Sequence, residues 1–325
     1  MANQKPKKTE KTTKKSSTKP SNPETNKETK EVKTELVSQS TKNSSKTAKS
    51  NAPFSGFFTR KYEQGENILT IFKTPKVWGA LIGELIGTML LTMILLTLAS
   101  VAQTTTQVYV VFIALAGVYT VVAGLSGANL NPLVTAGMMA TRRMSAIRGV
   151  LYMLAQVLGA WLGLITLNAF RLGSEAVVEL PIMDAVAGEN FWAIALLEFM
   201  GAIIVGFAFA RLLGYVKKNV LAFSLGITGI ISAVFFFGLL IAQAYFGLTL
   251  ACMFNPAIAL MFQILPTSAA GMGELAGLAG LALAAYVVMP IVGGIIGFFV
   301  SDIATRLVGK GYNCECDDSQ CCDAE

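Results

Sequence analysis

Apolar residues gather in six long runs, near 77–101, 108–125, 147–168, 190–213, 220–245 and 281–307, with short polar stretches between them. A helix needs about 20 residues to cross a hydrocarbon core about 30 Å thick, so each run predicts a membrane-spanning helix. Two apolar stretches break this rule. "SGANLNPLVTAGMM", residues 126–139, holds Asn131-Pro132-Leu133, and "CMFNPAIAL" holds Asn255-Pro256-Ala257. Each Asn-Pro leaves room for only about ten residues of helix, half a crossing. Proline suits the first helical turn, where its missing N–H has no intrahelical partner, and asparagine is a favoured N-cap. Each stretch therefore predicts a half-helix that enters from one side.

The chain also repeats itself. Glu84-x-x-Gly87 in the first run matches Glu198-x-x-Gly201 in the fourth. "YMLAQVLGAWLG" in the third matches "YVVMPIVGGIIG" in the sixth, pairing Tyr152 with Tyr286, Gly159 with Gly293 and Gly163 with Gly297. Three spans per half force the second half to be inverted relative to the first. The two capped half-helices then meet tip to tip near the bilayer midplane. The predicted fold is an all-α membrane protein of six transmembrane helices plus two re-entrant half-helices, with repeats at about 77–168 and 190–308.

Composition agrees, with 53 % hydrophobic and 14 % charged residues and a mean hydropathy of +0.57. Charge changes the picture at the ends. The first 50 residues carry thirteen Lys and five Glu, a net +8, which leaves 6 − 8 = −2 for the rest of the chain. Residues 1–53 read as a disordered Lys-rich cytoplasmic arm weakly attracted to anionic lipid, with no nucleic acid expected as partner. Residues 54–76, with Phe54, Phe57 and Phe58 among charges, suit the membrane interface, and 77–308 form the membrane domain. Basic residues in short loops mark the cytoplasmic side: Arg142, Arg143 and Arg148 after the second run, Arg211, Lys217 and Lys218 after the fourth. Six spans then place both termini in the cytoplasm of a multi-pass cell-membrane protein.

These pieces together resemble the major intrinsic protein family, the aquaporins and glycerol channels, over roughly residues 77–308. The resemblance rests on "SGANLNPLVT", "CMFNPAIAL", "AIRGVLYMLAQVLGA" with its Gln156-x-x-Gly159, and the paired Glu84 and Glu198. It implies a passive channel for water or small uncharged solutes such as glycerol, with four pores per homotetramer. Asn131 and Asn255 would donate hydrogen bonds to the oxygen of a passing water, and the half-helix N-termini would repel cations. Backbone carbonyls of Gly127, Ala128, Asn129 and Leu130 in one loop, and of Ala251, Cys252, Met253 and Phe254 in the other, would line the path. Glu84 and Glu198, costly inside a membrane, would accept hydrogen bonds from loop amides; proton coupling is the competing role. Glycines at four-residue spacing suit close helix packing without touching solute.

The departures from the family bear on the solute. Members place an arginine directly after the second motif, where this chain has Ile258; counting along the chain gives Val111, Gln243 and Cys252 as the other members of the selectivity filter. That ring is uncharged and offers one amide. Leu133 stands in place of the first-motif alanine, and Asn129 where the family often has histidine. An alternating-access transporter and a non-conducting membrane scaffold remain as alternatives, since inverted repeats with broken helices serve transporters as well.

The chain has no histidine, which removes histidine-based triads, HExxH sites and imidazole gating. No phosphate-binding loop or nucleophile constellation is present, so no enzyme and no cofactor is expected. Four cysteines sit in the acidic stretch 309–325, at Cys314, Cys316, Cys321 and Cys322. They match no standard zinc spacing, and a soft metal such as zinc or copper(I) is the alternative to a plain tail.

Overall fold

In the computed structural model, residues 72–99, 105–170, 190–248, 252–261 and 280–307 are described, and every regular element among them is helical. The six apolar runs become α1 (Pro75–Ala99), α2 (Thr105–Ser126), α4 (Ala146–Phe170), α5 (Phe191–Leu212), α6 (Val220–Phe246) and α8 (Met289–Leu307). The two Asn-Pro stretches open the short helices α3 (Pro132–Ala140) and α7 (Pro256–Ala259). Six helical stretches, from Pro75–Thr97 to Gly280–Leu307, are long and apolar enough to cross a membrane. The chain is thus a multi-pass membrane protein with the predicted six-helix fold. The expected tails 1–53 and 309–325, and most of the interfacial stretch, lie outside the described residues.

Local chemistry sets several element ends. Asn219 caps α6 by accepting from the Ala222 amide at 3.0 Å. Gly247, left-handed at φ 64°, ends it, while Leu248 N–H donates to Ala242 O at 3.1 Å. That closing bond satisfies one of the carbonyls every helix end exposes. The last span enters through a π-helical turn, Ala284–Val288, just ahead of Pro290. A proline ring clashes with the carbonyl four residues back, and a widened turn is a known way to absorb it.

Glycines set the packing. α1 lies on α4 and α5 on α8, with the same backbone approach in both pairs. A Cβ on Gly159 would stand 2.2 Å from Leu85 O and one on Gly163 2.7 Å from Met89 O. In the second pair, a Cβ on Gly293 would stand 2.4 Å from Phe199 O and one on Gly297 2.3 Å from Ile203 O. Residues 85 and 199, like 89 and 203, are equivalent when Glu84 is set on Glu198, so the sequence repeat is also a packing repeat. Without a hydrophobic force between helices in lipid, such close approach is what holds them together.

The short helix α3 crosses to the other half and packs on α8. The Phe298 ring fills the space beside Gly137, and Leu133 lies against Gly294, whose Cβ would come within 3.0 Å of the leucine Cβ. Leu133 is fully buried, and the glycine opposite makes room for the bulk it adds over alanine. Trp78, Ile82, Ile86, Leu154 and Trp161 keep large apolar surfaces exposed on the outside of the bundle, as a lipid-facing wall requires.

Candidate functional site

The carboxylates come first because they shape everything else at the centre. Both are fully buried. Glu84 accepts from Ser126 Oγ at 2.5 Å, from the Asn129 amide at 2.9 Å, from the Leu130 amide at 2.7 Å and from Gln156 Nε2 at 2.7 Å. Glu198 accepts from the amides of Met253 and Phe254, the latter at 2.9 Å. Each carboxylate thus supplies the acceptors that a non-helical loop inside the membrane lacks.

The glycine three residues later has the complementary task. Leu130 and Phe254 adopt left-handed backbone, φ 51° and 48°, which swings their side chains back onto the first helix of their own half. A Cβ on Gly87 would stand 2.4 Å from Leu130 Cδ2, and one on Gly201 2.2 Å from Phe254 Cε1. Glu-x-x-Gly is therefore one device used twice: the carboxylate binds the loop amides, and the glycine leaves space for the residue that precedes each asparagine.

With the loops held in this way, Asn131 and Asn255 occupy equivalent caps. Asn131 Oδ1 accepts from the Leu133 amide at 3.0 Å and Asn255 Oδ1 from the Ala257 amide at 3.1 Å. Each side-chain amide then reaches across the pseudo-twofold axis: Asn131 Nδ2 donates to Phe254 O at 2.7 Å, and Asn255 Nδ2 to Leu130 O at 2.9 Å. An amide nitrogen carries two hydrogens. One on each asparagine is committed to the opposite loop, and both asparagines stand in the wall of one cavity.

That cavity has a volume of about 30 Å³, enough for about two water molecules. Its polar wall is Asn131, Asn255, Tyr119 and Ser232; the remainder is aliphatic and aromatic, including Leu91, Val111, Phe235 and Phe254. Of the four residues expected to form a filter, Val111 lines this cavity. Gln243 is exposed near the end of α6, while Cys252 and Ile258 are fully buried away from the cavity wall. The Cys252 sulfur packs toward Gly238. Of these four positions, Val111 alone thus reaches the wall of this cavity.

Among the proposed carbonyls, those of Leu130 and Phe254 are taken by the crossed asparagine bonds. Gly127, Ala128 and Asn129, with Cys252 and Met253, belong to the same two loops, and Ala251 lies outside the described residues. Tyr119 and Ser232 escaped the sequence reading, although a serine inside the apolar run 220–245 was the signal. Thr135, which accepts from Gln156 Nε2 at 3.0 Å, also escaped it.

One end of the bundle carries the basic residues. Arg143 donates to Ala210 O at 3.3 Å and to Asp302 at 2.5 Å, with its guanidinium 5.6 Å from the centre of the Phe298 ring. Arg211 donates to Thr305 Oγ1 at 2.6 Å. The loop after α3, the end of α5 and the end of α8 therefore share one face. Among the described residues no three metal-ligating side chains gather; the cysteines at 314, 316, 321 and 322 lie outside those residues.

The family model described as Major intrinsic protein matches residues 71–301, well over half of the chain. A probable aquaporin, PIP2-5, of Arabidopsis thaliana is 45 % identical over 49 residues, 15 % of this chain and 17 % of that protein. Aquaporin PIP2-7 of Musa acuminata is 54 % identical over 41 residues, 13 % of this chain and 14 % of that one. The match thus spans less than a fifth of the length of either relative. An aquaglyceroporin from Plasmodium falciparum, known from its X-ray structure, superposes with a TM-score of 0.54 at 20 % identity, over 72 % of this chain and 99 % of that one. That likeness shows a shared fold. By the family match, its two crossed Asn-Pro caps and its inverted glycine packing, the chain belongs to the major intrinsic protein family.

Proposed function

We propose that the chain is a passive channel for water and small uncharged solutes, and that the Asn131–Asn255 pair is its central polar station. The observation that carries this reading is the crossed amide pair. Each asparagine is held rigidly by a cap bond and a bond to the opposite half, and both stand in the wall of the same cavity. Two fixed donors that face one small space bind an oxygen acceptor and turn its hydrogens outward. A water oriented this way breaks a hydrogen-bonded file along which a proton would hop, and the apolar remainder of the wall offers ions no replacement for their hydration.

The basic face formed by Arg143, Arg211 and the end of α8 supports a cytoplasmic placement of both termini in the cell membrane. In the same reading four copies assemble, each with its own pore, and Ile258 leaves the outer mouth without a guanidinium, which favours solutes larger than water. The test is light scattering from liposomes that contain the purified protein, after an osmotic jump with sucrose and then glycerol. Fast water efflux with non-saturating kinetics is expected. Saturable, ion-coupled flux would replace the channel by a transporter, and rates equal to those of empty liposomes in a correctly assembled sample would overturn conduction.

A further inference from the structure

Helix α6 carries three hydroxyl residues, Ser224, Thr228 and Ser232, whose oxygens are buried and make no hydrogen bond to the protein. Their relative exposures are 0 %, 0 % and 9 %. This is unusual within the molecule itself. Thr92, Thr97, Thr120, Thr166 and Thr305 each return their hydroxyl to the carbonyl four residues back, the ordinary way for a helix in lipid to satisfy such a group. Thr88 and Tyr286 are also buried without a partner, but each stands alone on its helix. Among the described residues, only α6 repeats the feature, at every fourth position.

Geometry gives the repeat a meaning. Residues four apart lie on one helix face and rise by about 6 Å. Two O–H···O hydrogen bonds in series span about 5.6 Å. One water molecule therefore fits between successive hydroxyls and completes both. The upper end of the row is Ser232, in the wall of the cavity that holds Asn131 and Asn255. Tyr119 lines that cavity too, and its ring meets Phe223, the neighbour of Ser224, edge-on with centroids 6.4 Å apart. The row runs from the cavity toward the start of α6, the end reached from Lys217 and Lys218.

We propose that Ser224, Thr228 and Ser232 form a water-binding file along α6 that extends the path from the central cavity toward the helix N-terminus. The file rests on the channel reading for its role in flux, although not for its occupancy. It assigns half of the path to a transmembrane helix face, in addition to the loop backbone.

Thr228→Val removes the hydroxyl and keeps the shape. In full-length protein in liposomes this variant, and Ser224→Ala beside it, should lower water permeability about fivefold, the equivalent of one hydrogen bond of about 1 kcal/mol. Thermal unfolding should be unchanged or shifted upward, since an apolar group replaces an unpartnered polar one. Unchanged water permeability in both folded variants would overturn the file. If Thr228→Val fails to assemble, Ser224→Ala with Ser232→Ala gives the same readout. A second measurement separates this idea from the channel reading: high-resolution density for the unmodified protein should show ordered water between Thr228 Oγ1 and its two neighbours. Water there in a protein that does not conduct would sink the channel reading and keep the file, whereas dry hydroxyls in a conducting protein would do the reverse.

Discussion

Glu84 and Glu198 occupy equivalent positions, yet they do unequal work. Glu84 satisfies donors from α2, from its loop and from Gln156 on α4, whereas Glu198 satisfies two loop amides. The position equivalent to Gln156 is Pro290, which has no amide to offer. Glu84→Ala strands more buried donors than Glu198→Ala, at about 1–3 kcal/mol for each unpaired group. The expected outcome is a larger fall in detergent melting temperature for Glu84→Ala; equal falls would refute the assigned asymmetry. A second residue, Ile258, is tested through transport. Ile258→Arg brings a guanidinium to the first turn of α7, and glycerol entry should fall more than water efflux in paired liposome measurements. Glycerol entry as fast as in the unmodified protein would separate Ile258 from the constriction.

At the scale of elements, the glycine seams carry the fold. Gly159→Ala would drive a methyl into the Leu85 carbonyl, and Gly293→Ala into that of Phe199. Backbone yields less readily than a side chain, so each change should cost about 1–3 kcal/mol, the usual range for overpacking. Gly79 has open space around it, and Gly79→Ala should leave the melting temperature unchanged or raise it, since alanine is the better helix former; a matching loss there would mean that the losses at the seams do not come from overpacking. These seams were legible in the sequence because four-residue spacing of glycine on both halves has one physical reading. So were the six spans and both Asn-Pro caps, since length, proline and asparagine act locally. The cavity wall was not. Counting back from Asn255 offered Gln243 as a filter member and named no cavity residue on α6, because whether a residue on α6 faces the cavity depends on the rotation of that helix against α2 and α5, which tertiary packing sets. Ser232 and Tyr119 reach the wall through that rotation, and the π-helical turn ahead of Pro290 is a tertiary accommodation of the same kind.

For the whole molecule, charge and chemistry lie in different places. The first 50 residues carry the net +8, and the remainder, which contains every spanning helix, has −2. The caps, the carboxylates and the cavity all belong to residues between 84 and 258, and among the described residues their hydrogen bonds close within that range. Removal of residues 1–50 should therefore leave water permeability per reconstituted protein unchanged, while it weakens association of the protein with anionic lipid by a salt-dependent margin. Permeability and lipid association, measured on the same truncated sample, separate two accounts of this chain. A channel with an appended basic arm keeps its flux and loses its salt-sensitive binding. A scaffold whose membrane domain serves only as an anchor shows no flux above empty liposomes in either form, and loses its interactions with the arm.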